Sequence, residues 1–383
     1  MTGPVAYRAS AVFDGTRMLP GHALVVEDGR VATIAGPGEV PADVRLVDLG
    51  DGILAPGFVD LQVNGGGGVM FNAAPSVDTL RVIAQAHAGL GATTILPTLI
   101  TDTPARTRAA IEAAIAATEQ GIPGIGGLHL EGPHLSLARK GAHDPALIRP
   151  MEPADLAALL EAARGLPVLK VTVAPENVSR DQVAALAEAG VLVSLGHTDA
   201  DFDTCMDYAA AGARCATHLF NAMSQMQNRA PGLVGAVLHN GALSSGLIAD
   251  GIHVHPAAMA AALRAKRGPG AVFLVSDAMA SAGTDLESFD IGGRLVLRRD
   301  GRLTLEDGTL AGADLALATA LQTLTGKVGM DVAEALTMAT ARPAALAGLS
   351  AGRLQPGAQA DFIHLDRGLV LRGVWQNGTR RAD

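Results

Sequence analysis

Three residues of types that bind metal ions, and one further carboxylate, stand at or near the ends of apolar runs typical of buried β-strands: Glu131, His197, His218 and Asp277. A carboxylate at the end of a buried strand is destabilising unless it has a partner, so Glu131 requires one. One glutamate and two histidines, with a fourth position left open, are a known ligand set of catalytic zinc sites. Glu131, His197 and His218 are accordingly predicted to bind a divalent metal ion. Asp277 is a candidate general base that takes a proton from water.

Each of these residues also has an ordinary interpretation. A single strand-end glutamate is commonly a salt-bridge partner, and a single histidine is commonly a core or surface residue without a ligand. Asp277 has the alternative role of N-cap for a helix over residues 277–283. The prediction of a metal site depends on all of these residues lying at strand ends. It also requires the strands that carry them to bring the residues together in the fold.

The middle of the chain repeats a unit of a short apolar strand, a loop and an Ala/Leu-rich helix. One predicted helix covers residues 104–121, with Thr103 as its N-cap and Pro104 in its first turn. Eight strands that alternate with helices predict a (β/α)₈, TIM-like barrel. A doubly wound open sheet is the alternative, but the four glycines at 65–68 precede no helix start before about Ser76 and are interpreted as a loop. The predicted strands are residues 58–63, 93–97, 127–131, 168–173, 191–197, 215–220, 245–250 and 272–277.

In such barrels the chemistry takes place at the carboxyl ends of the strands. Residues 62 and 131 are 69 apart, 131 and 197 are 66 apart, and 218 and 277 are 59 apart, and each distance fits two strand–helix units. The candidate ligands and Asp277 are therefore predicted to face a common centre. Gln62 and Asn64, at the end of the first strand, are predicted to support it. His129 shares a strand face with Glu131 and is interpreted either as a further supporting group or as a packed core histidine.

The two ends of the chain read as short strands with turns at Asp28–Gly29 and at residues 376–378. Neither end has enough strands to be stable alone. We therefore predict that residues 1–54 and 352–383 form one discontinuous small β-sandwich domain, and that residues 55–351 form the barrel.

The composition narrows the function classes. The chain has 383 residues, 17% of them charged, and a net charge of −9, which argues against nucleic-acid binding. No apolar run is long enough to cross a bilayer, and residues 1–10 lack the pattern of a secretory signal peptide. The two cysteines, Cys205 and Cys215, do not make a disulfide framework. These features predict a cytoplasmic protein with no nucleic-acid or membrane partner.

Several motifs together resemble the amidohydrolase superfamily and, within it, the family of N-acetylglucosamine-6-phosphate deacetylases. The motifs follow one another along nearly the whole barrel, and the segment 351–366 is similar to the superfamily's return into its small β-domain. The matching segments are 55–68 (APGFVDLQVNGGGG), 129–145 (HLEGPHLSLARKGAHDP), 195–200 (LGHTDA), 217–238 (THLFNAMSQMQNRAPGLVGAVL), 248–256 (IADGIHVHP), 274–279 (LVSDAM) and 308–314 (GTLAGAD).

The resemblance implies roles for individual residues. Glu131, His197 and His218 correspond to metal ligands, and Asp277 corresponds to the catalytic acid/base. Arg229 corresponds to an arginine that reaches the phosphate of a substrate bound to the neighbouring subunit, which implies a homodimer. The remaining matches are substrate contacts: Ala142, His143, Asn221, Ala222, Asp250, Gly251, Ile252, His253, Leu310, Ala311 and Gly312.

Gln62 and Asn64 occupy the positions where most members of the superfamily carry His-x-His for a second metal ion. Neutral amides are much weaker ligands than imidazoles, so one divalent ion per subunit is predicted: zinc first, with iron, cobalt or manganese as alternatives. The implied reaction is hydrolysis of N-acetyl-D-glucosamine 6-phosphate to D-glucosamine 6-phosphate and acetate, in amino-sugar catabolism or cell-wall recycling. Two alternatives are a deacetylase of N-acetylgalactosamine 6-phosphate or another acylated amine, and a non-catalytic binder of metal and sugar phosphate.

Overall fold

The computed structural model describes residues 3–381, and the chain begins there with seven short strands. They are β1 (Val5–Arg8), β2 (Ala11–Phe13), β3 (Met18–Pro20), β4 (Ala23–Glu27), β5 (Arg30–Ala35), β6 (Arg45–Asp48) and β7 (Ile53–Pro56). The hairpin predicted at Asp28–Gly29 is confirmed, because it joins the antiparallel strands β4 and β5 with φ angles of 47° and 77°.

The remaining strands carry the barrel, a later three-stranded sheet and the C-terminal end. The strands of the barrel region are β8 (Phe58–Val63), β9 (Gly65–Gly66), β10 (Val69–Met70), β11 (Ala92–Ile100), β12 (Leu128–Glu131), β13 (Leu169–Val173), β14 (Leu192–Leu195), β15 (Cys215–Ala216), β16 (Ser244–Leu247) and β17 (Val272–Leu274). The later strands are β18 (Ser288–Ile291), β19 (Arg294–Arg299), β20 (Arg302–Leu305), β21 (Phe362–Leu365), β22 (Leu371–Gln376) and β23 (Thr379–Arg380).

Helices separate the barrel strands. They are α1 (Val77–Gly89), α2 (Pro104–Glu119), α3 (Pro153–Gly165), α4 (Arg180–Glu188), α5 (Phe202–Ala210), α6 (Gly232–His239), α7 (Pro256–Ala265), α8 (Leu317–Thr323), α9 (Val332–Ala339) and α10 (Ala341–Ala347). The start of α2 is as predicted, since the Thr103 side chain accepts a hydrogen bond from the Arg106 N–H. Within residues 3–381, every helix is too short or too polar to be a candidate membrane span.

The two ends of the chain pair with each other. β7 runs antiparallel to β21, with Leu54 opposite His364, in a six-stranded sheet of order β23-β22-β21-β7-β2-β3. A four-stranded sheet, β5-β4-β1-β6, shares an apolar cluster with it that includes Leu24, Phe362 and Trp375. We propose that residues 1–54 and 352–383 form one small domain; residues 1, 2, 382 and 383 of this prediction lie outside the described part of the chain.

Eight parallel strands form the central sheet in chain order, β8-β11-β12-β13-β14-β15-β16-β17. The sheet closes where the chain after β17 meets the end of β8. There the Asp277 N–H donates to the Gln62 carbonyl (3.1 Å), and the Asn64 N–H donates to the Ala278 carbonyl (2.8 Å). This order and closure confirm the predicted (β/α)₈ barrel and exclude the doubly wound sheet.

Three features differ from the predicted elements. β14 ends at Leu195, β15 at Ala216, β16 at Leu247 and β17 at Leu274, so the predicted strands over 191–197, 215–220, 245–250 and 272–277 are too long, whereas the predicted strand over 93–97 is shorter than β11. Of the glycines at 65–68, which were interpreted as a loop, Gly65 and Gly66 form β9 and pair with β10, and only Gly67 and Gly68 form the turn between these strands. The sheet β18–β20 was not among the predicted strands.

Candidate active site

A cavity of about 410 Å³ opens at the carboxyl ends of the barrel strands and is lined by Glu131, His197, His218 and Asp277. Glu131 is the last residue of β12, and the other three lie two or three residues beyond β14, β15 and β17. The residues that complete the wall are Asn64, Ile100, Gly141, Ala142, His143, Asn221, Ala222, Ile248, His253, Met279, Ile291, Gly308, Thr309, Leu310 and Gly312. The spacings in the sequence thus correspond to one cluster in space.

The three candidate ligands converge on a single point. The Nε2 atoms of His197 and His218 lie 3.2 and 3.0 Å from Oε1 of Glu131, and 3.1 Å from each other. In a tetrahedral site with bonds of about 2.0–2.1 Å, ligand atoms are about 3.3–3.4 Å apart. The three atoms therefore have nearly the spacing of ligands around one ion.

Both imidazole rings have their other nitrogen held by the backbone. Nδ1 of His197 lies 2.8 Å from the carbonyl oxygen of Arg139, and Nδ1 of His218 lies 3.1 Å from that of Asn221. A carbonyl oxygen can only accept, so Nδ1 carries the proton and Nε2 of the neutral ring presents a lone pair. Two lone pairs directed at each other and at a carboxylate repel unless a cation lies between them. This donor set therefore fits a divalent metal ion.

The pKa values of Glu131 and His218 are both shifted by the contact between these two groups. Burial acts to raise the pKa of Glu131, but the His197 and His218 rings, which donate to Glu131 from Nε2 when they are protonated, outweigh burial and hold that pKa well below its usual range. Burial acts to lower the pKa of His218, but the hydrogen bond to Glu131 and the negative charges of Glu131 and Asp277 together outweigh burial and raise that pKa. Both directions show that Glu131 favours a positive partner.

The backbone at three of the four residues is in the left-handed region. The φ angles of His197, His218 and Asp277 are 47°, 30° and 50°. This region is uncommon for residues other than glycine, although histidine and aspartate enter it more readily than most, and it costs on the order of 1–3 kcal/mol per residue. The left-handed conformation ends the extended strand before each of these residues. Strain of this kind is concentrated at functional sites, where the surrounding structure maintains it.

Asp277 is held by two amide groups. Its Oδ1 accepts hydrogen bonds from Nδ2 of Asn64 at 2.7 Å and from Nε2 of Gln62 at 3.1 Å. Burial raises the pKa of Asp277, and the negative charge of Glu131 raises it further. The chain after Asp277 forms turns and no helix, so the alternative role of a helix N-cap is wrong.

Gln62 and Asn64 act here as hydrogen-bond donors. Nε2 of Gln62 also lies 3.2 Å from each carboxylate oxygen of Glu131, so one amide group connects Glu131 with Asp277. The side-chain carbonyl oxygens of Gln62 and Asn64 are buried and accept no hydrogen bond from residues 3–381. The amide N–H groups therefore orient the two carboxylates and offset part of their charge.

His143 is a third imidazole beside the centre. Its ring packs edge-on against His197 with centroids 4.4 Å apart, and Glu131, His143 and His197 each offer a ligand atom within 4.8 Å of the others. However, Nδ1 of His143 lies 2.8 Å from Oγ1 of Thr101 and accepts the Thr101 N–H at 3.3 Å. Because the Nε2 of His218 lies only 3.0 Å from Glu131, we assign His218 to the ligand set and His143 to the cavity wall. Burial lowers the pKa of His143 to about 3, and His197 contributes to this, so the ring is neutral near pH 7.

Other predicted site residues lie around or behind the wall. Asp250 supports His253, since its Oδ2 lies 2.6 Å from Nδ1 of that ring. Gly251, Ile252 and Ala311 do not line the cavity, although each lies within two positions in the sequence of a residue that does.

Two other predicted residues do not line the cavity. Arg229 is exposed in the loop before α6 and does not line the cavity of its own chain. His129 points into the barrel between Thr98 (3.1 Å) and Thr172 (2.8 Å), and none of its hydrogen bonds within residues 3–381 reaches a candidate ligand.

Comparison with known proteins shows that the similarity to a known family covers most of the chain and is not confined to the site. Residues 53–380 match the model of the Amidohydrolase family. The chain belongs to the amidohydrolase family. This confirms the resemblance predicted from the motifs, and it makes the chain a hydrolase that acts on an amide C–N bond.

The relatives of this amidohydrolase cover nearly its whole length. The N-acetylgalactosamine-6-phosphate deacetylase of Shewanella sp. (strain ANA-3) is 39% identical, over 93% of this chain and 90% of its own. The N-acetylglucosamine-6-phosphate deacetylase of Haemophilus influenzae is 31% identical, over 94% of this chain and 96% of its own. The crystal structure of N-acetylglucosamine-6-phosphate deacetylase from Pasteurella multocida matches with a TM-score of 0.94 at 33% identity and covers 99% of this chain and 100% of that one.

One buried carboxylate of this amidohydrolase was not predicted. Asp60, on β8, accepts hydrogen bonds from the N–H groups of Gln62 and Ser276, both at 3.1 Å, where the barrel closes. Burial raises the pKa of Asp60 to about 7. The signal was present in the sequence, because Asp60, Gln62 and Asn64 alternate along one face of a strand that is otherwise apolar. Lys170 is buried within β13, with Nζ 3.4 Å from the Leu61 carbonyl.

Proposed function

We propose that the chain is a metal-dependent deacetylase that hydrolyses N-acetyl-D-glucosamine 6-phosphate to D-glucosamine 6-phosphate and acetate, in amino-sugar catabolism or cell-wall recycling. The observation that carries the proposal is the convergence of Glu131 and the two Nε2 atoms on one point, with the Asp277 carboxylate in the same cavity. The names of relatives at 31% and 39% identity, both deacetylases of N-acetylated hexosamine 6-phosphates, support the choice of substrate.

Glu131, His197 and His218 would hold one divalent ion per chain, with zinc preferred and iron, cobalt or manganese as alternatives. When bound, such an ion polarises a carbonyl oxygen and lowers the pKa of water. The backbone carbonyls of Arg139 and Asn221 keep the two rings in the tautomer that this requires.

Asp277 acts as both base and acid. Both amide donors reach Oδ1, and within residues 3–381 no hydrogen bond engages Oδ2, which leaves that oxygen for proton transfer. Oδ2 takes a proton from water while the oxygen of that water adds to the acetamide carbonyl carbon. The protonated carboxyl group then gives its proton to the amine as the C–N bond breaks, and acetate and the free amino sugar leave.

The cavity wall offers hydrogen bonds to the sugar. His143 is neutral and fixed by Thr101, which suits it to bind a sugar hydroxyl or the developing oxyanion. The side chain of Asn221 and the segment 310–312 provide further contacts. We assign His253 to the phosphate, because Asp250 fixes its ring from behind.

Arg229 is proposed to bind the phosphate of a substrate in the partner chain of a homodimer. Its exposed position in the loop before α6 suits a contact across an interface better than a contact with its own cavity. A guanidinium group can bind phosphate through two parallel hydrogen bonds.

We place the activity in the cytoplasm, since the buried free thiols of Cys205 and Cys215 suit a reducing compartment.

Acetate release from a panel of N-acetylated amino sugars, each with and without a 6-phosphate, tests the proposal. We expect turnover of the phosphorylated sugars, much weaker turnover of their unphosphorylated forms, and none with Glu131→Gln. Binding of a sugar phosphate without acetate release would instead identify the non-catalytic binder.

N-Acetyl-D-galactosamine 6-phosphate is the second candidate substrate. The relative with 39% identity carries that name, whereas the N-acetylglucosamine-6-phosphate deacetylases of Haemophilus influenzae and Bos taurus are 31% and 36% identical. The two sugars differ only in the orientation of one hydroxyl group. The ratio of their kcat/KM values in the same panel decides between them.

A further inference from the structure

The sheet β18–β20 lies beside the mouth of the barrel and packs there through a small apolar cluster of its own. Ile291 of this sheet also lines the cavity. The cluster is separate from the main cluster of the barrel and consists of Met70, Ile100, Met279, Ala280, Ile291, Val296, Leu303 and Ala311. A sheet attached through so few side chains requires further contacts to hold a fixed position over the site.

Two arginines of β19 provide such contacts, and they differ in their targets. Arg298 pairs with Oδ2 of Asp314 at 2.8 Å and donates to the Thr284 carbonyl at 2.7 Å, so it fixes the sheet to neighbouring parts of the same segment. Arg294 instead reaches a loop that is 152 residues distant in sequence, where its Nη2 donates to the carbonyl oxygen of Ala142 at 2.7 Å.

The Ala142 carbonyl belongs to the peptide bond that leads into His143. The N–H of His143 donates to the Lys140 carbonyl at 3.0 Å, and its ring packs against His197. The loop 140–143 therefore touches a candidate metal ligand on one side and is held by Arg294 from the other. A change in the position of this peptide bond moves the His143 side chain relative to the centre.

We infer that Arg294 is a positioning residue for the sugar site: its hydrogen bond to Ala142 keeps the loop 140–143, and with it His143, in the conformation that meets the substrate. The kinetic part of this inference rests on the proposed deacetylase function, whereas the contact between the sheet and the loop does not. Without the guanidinium group the loop becomes ordered only when the sugar binds, so substrate affinity falls and the chemistry at Asp277 is largely retained.

The test compares Arg294→Ala with Arg294→Lys and with Arg299→Ala, an exposed arginine of the same strand. We expect Arg294→Ala to raise KM about tenfold, the lower end of the effect of a hydrogen bond from a charged donor, and to change kcat by less than about threefold. Lysine should restore part of the affinity, and Arg299→Ala should behave as the wild type. Hydrogen exchange of the His143 amide should be about tenfold faster in Arg294→Ala only.

Two results would overturn the inference. One is an exchange rate and a KM in Arg294→Ala that equal those of Arg299→Ala. The other is a fall in kcat at unchanged KM together with loss of bound metal, which a general structural defect would produce. If the wild type releases no acetate from any sugar phosphate, the proposed function fails, but the exchange experiment still tests the contact between Arg294 and the loop.

Discussion

Replacement of Asn64 by leucine is expected to move the acid limb of the pH profile of kcat/KM to higher pH. Nδ2 of Asn64 donates to Oδ1 of Asp277 at 2.7 Å and so stabilises the ionised carboxylate. The side-chain oxygen of Asn64 accepts no hydrogen bond within residues 3–381, so leucine, whose side chain has the same number and branching of heavy atoms, removes only this donor. Loss of the donor raises the pKa of Asp277. A general base must be ionised to act. As the pH is lowered, the variant therefore loses activity at a higher pH than the wild type does.

The size of the shift follows from the remaining contacts. A hydrogen bond to a charged acceptor contributes roughly 1.5–3 kcal/mol, and one pKa unit corresponds to about 1.4 kcal/mol, so the full effect is about one to two units. Gln62 still donates to the same oxygen at 3.1 Å. We therefore expect a shift of about one unit, with the plateau at high pH reduced only a few-fold.

The assay is kcat/KM from acetate release across the acid range, because this parameter reports the pKa values of the free enzyme. Metal content is measured on the same samples, and Gln62 keeps its contacts with Glu131 in this variant. Asp277→Asn serves as the control, since its residual activity should lack the limb altogether. An acid limb that stays in place in Asn64→Leu while the plateau falls would show that Asn64 does not control the charge of Asp277.

Three further outcomes are expected. Glu131→Gln should lose the roughly one equivalent of metal per chain that the wild type retains, as measured by elemental analysis, together with its activity; two equivalents, both required for activity, would contradict the single site. Asp277→Asn should keep its metal and its melting temperature while kcat falls by about two to four orders of magnitude; near-normal turnover would exclude Asp277 as the base. Arg229→Ala should lower kcat/KM by about one to two powers of ten, and subunit exchange with Asp277→Asn should restore activity in hybrid dimers; a mixture no more active than its parents would place Arg229 in its own subunit.

The barrel was predictable because its signals are repeated. Eight apolar runs at similar spacing require a parallel sheet, and the carboxyl ends of its strands must meet on one side. Glu131 was correctly placed at the last position of its strand for this reason. The sheet β18–β20 was missed because it interrupts the repeat, although Gly292–Gly293 and Asp300–Gly301 between alternating residues are hairpin signals.

The conformation of the site was not predictable in the same way. Residues around His218 and Asp277 are apolar enough to continue a strand. Histidine and aspartate enter the left-handed region more readily than most residues, but their type alone does not indicate which of them adopt the positive φ angles that end a strand. Those angles depend on long-range contacts, such as the hydrogen bond from the Asp277 N–H to the Gln62 carbonyl. Gln62 connects Glu131, which lies 69 positions later in the chain, with Asp277, which lies 215 positions later. The residue pattern of a single strand does not indicate such long-range contacts.

The proposed metal ligands and the proposed base form one electrostatic unit. Glu131 and Asp277 are both buried and share the amide group of Gln62, and the charge of Glu131 helps to raise the pKa of Asp277. A positive charge beside Glu131 opposes that effect. A proton on His218 supplies such a charge, but it occupies the Nε2 lone pair and so prevents this ring from serving as a metal ligand. A divalent ion held by Glu131, His197 and His218 would supply it without that conflict, because such an ion requires His218 to be neutral at Nε2 and would favour the ionised form of Asp277. Protons would therefore compete with the metal for the centre, so metal retention would weaken as the pH falls, and the same acidification would remove the base.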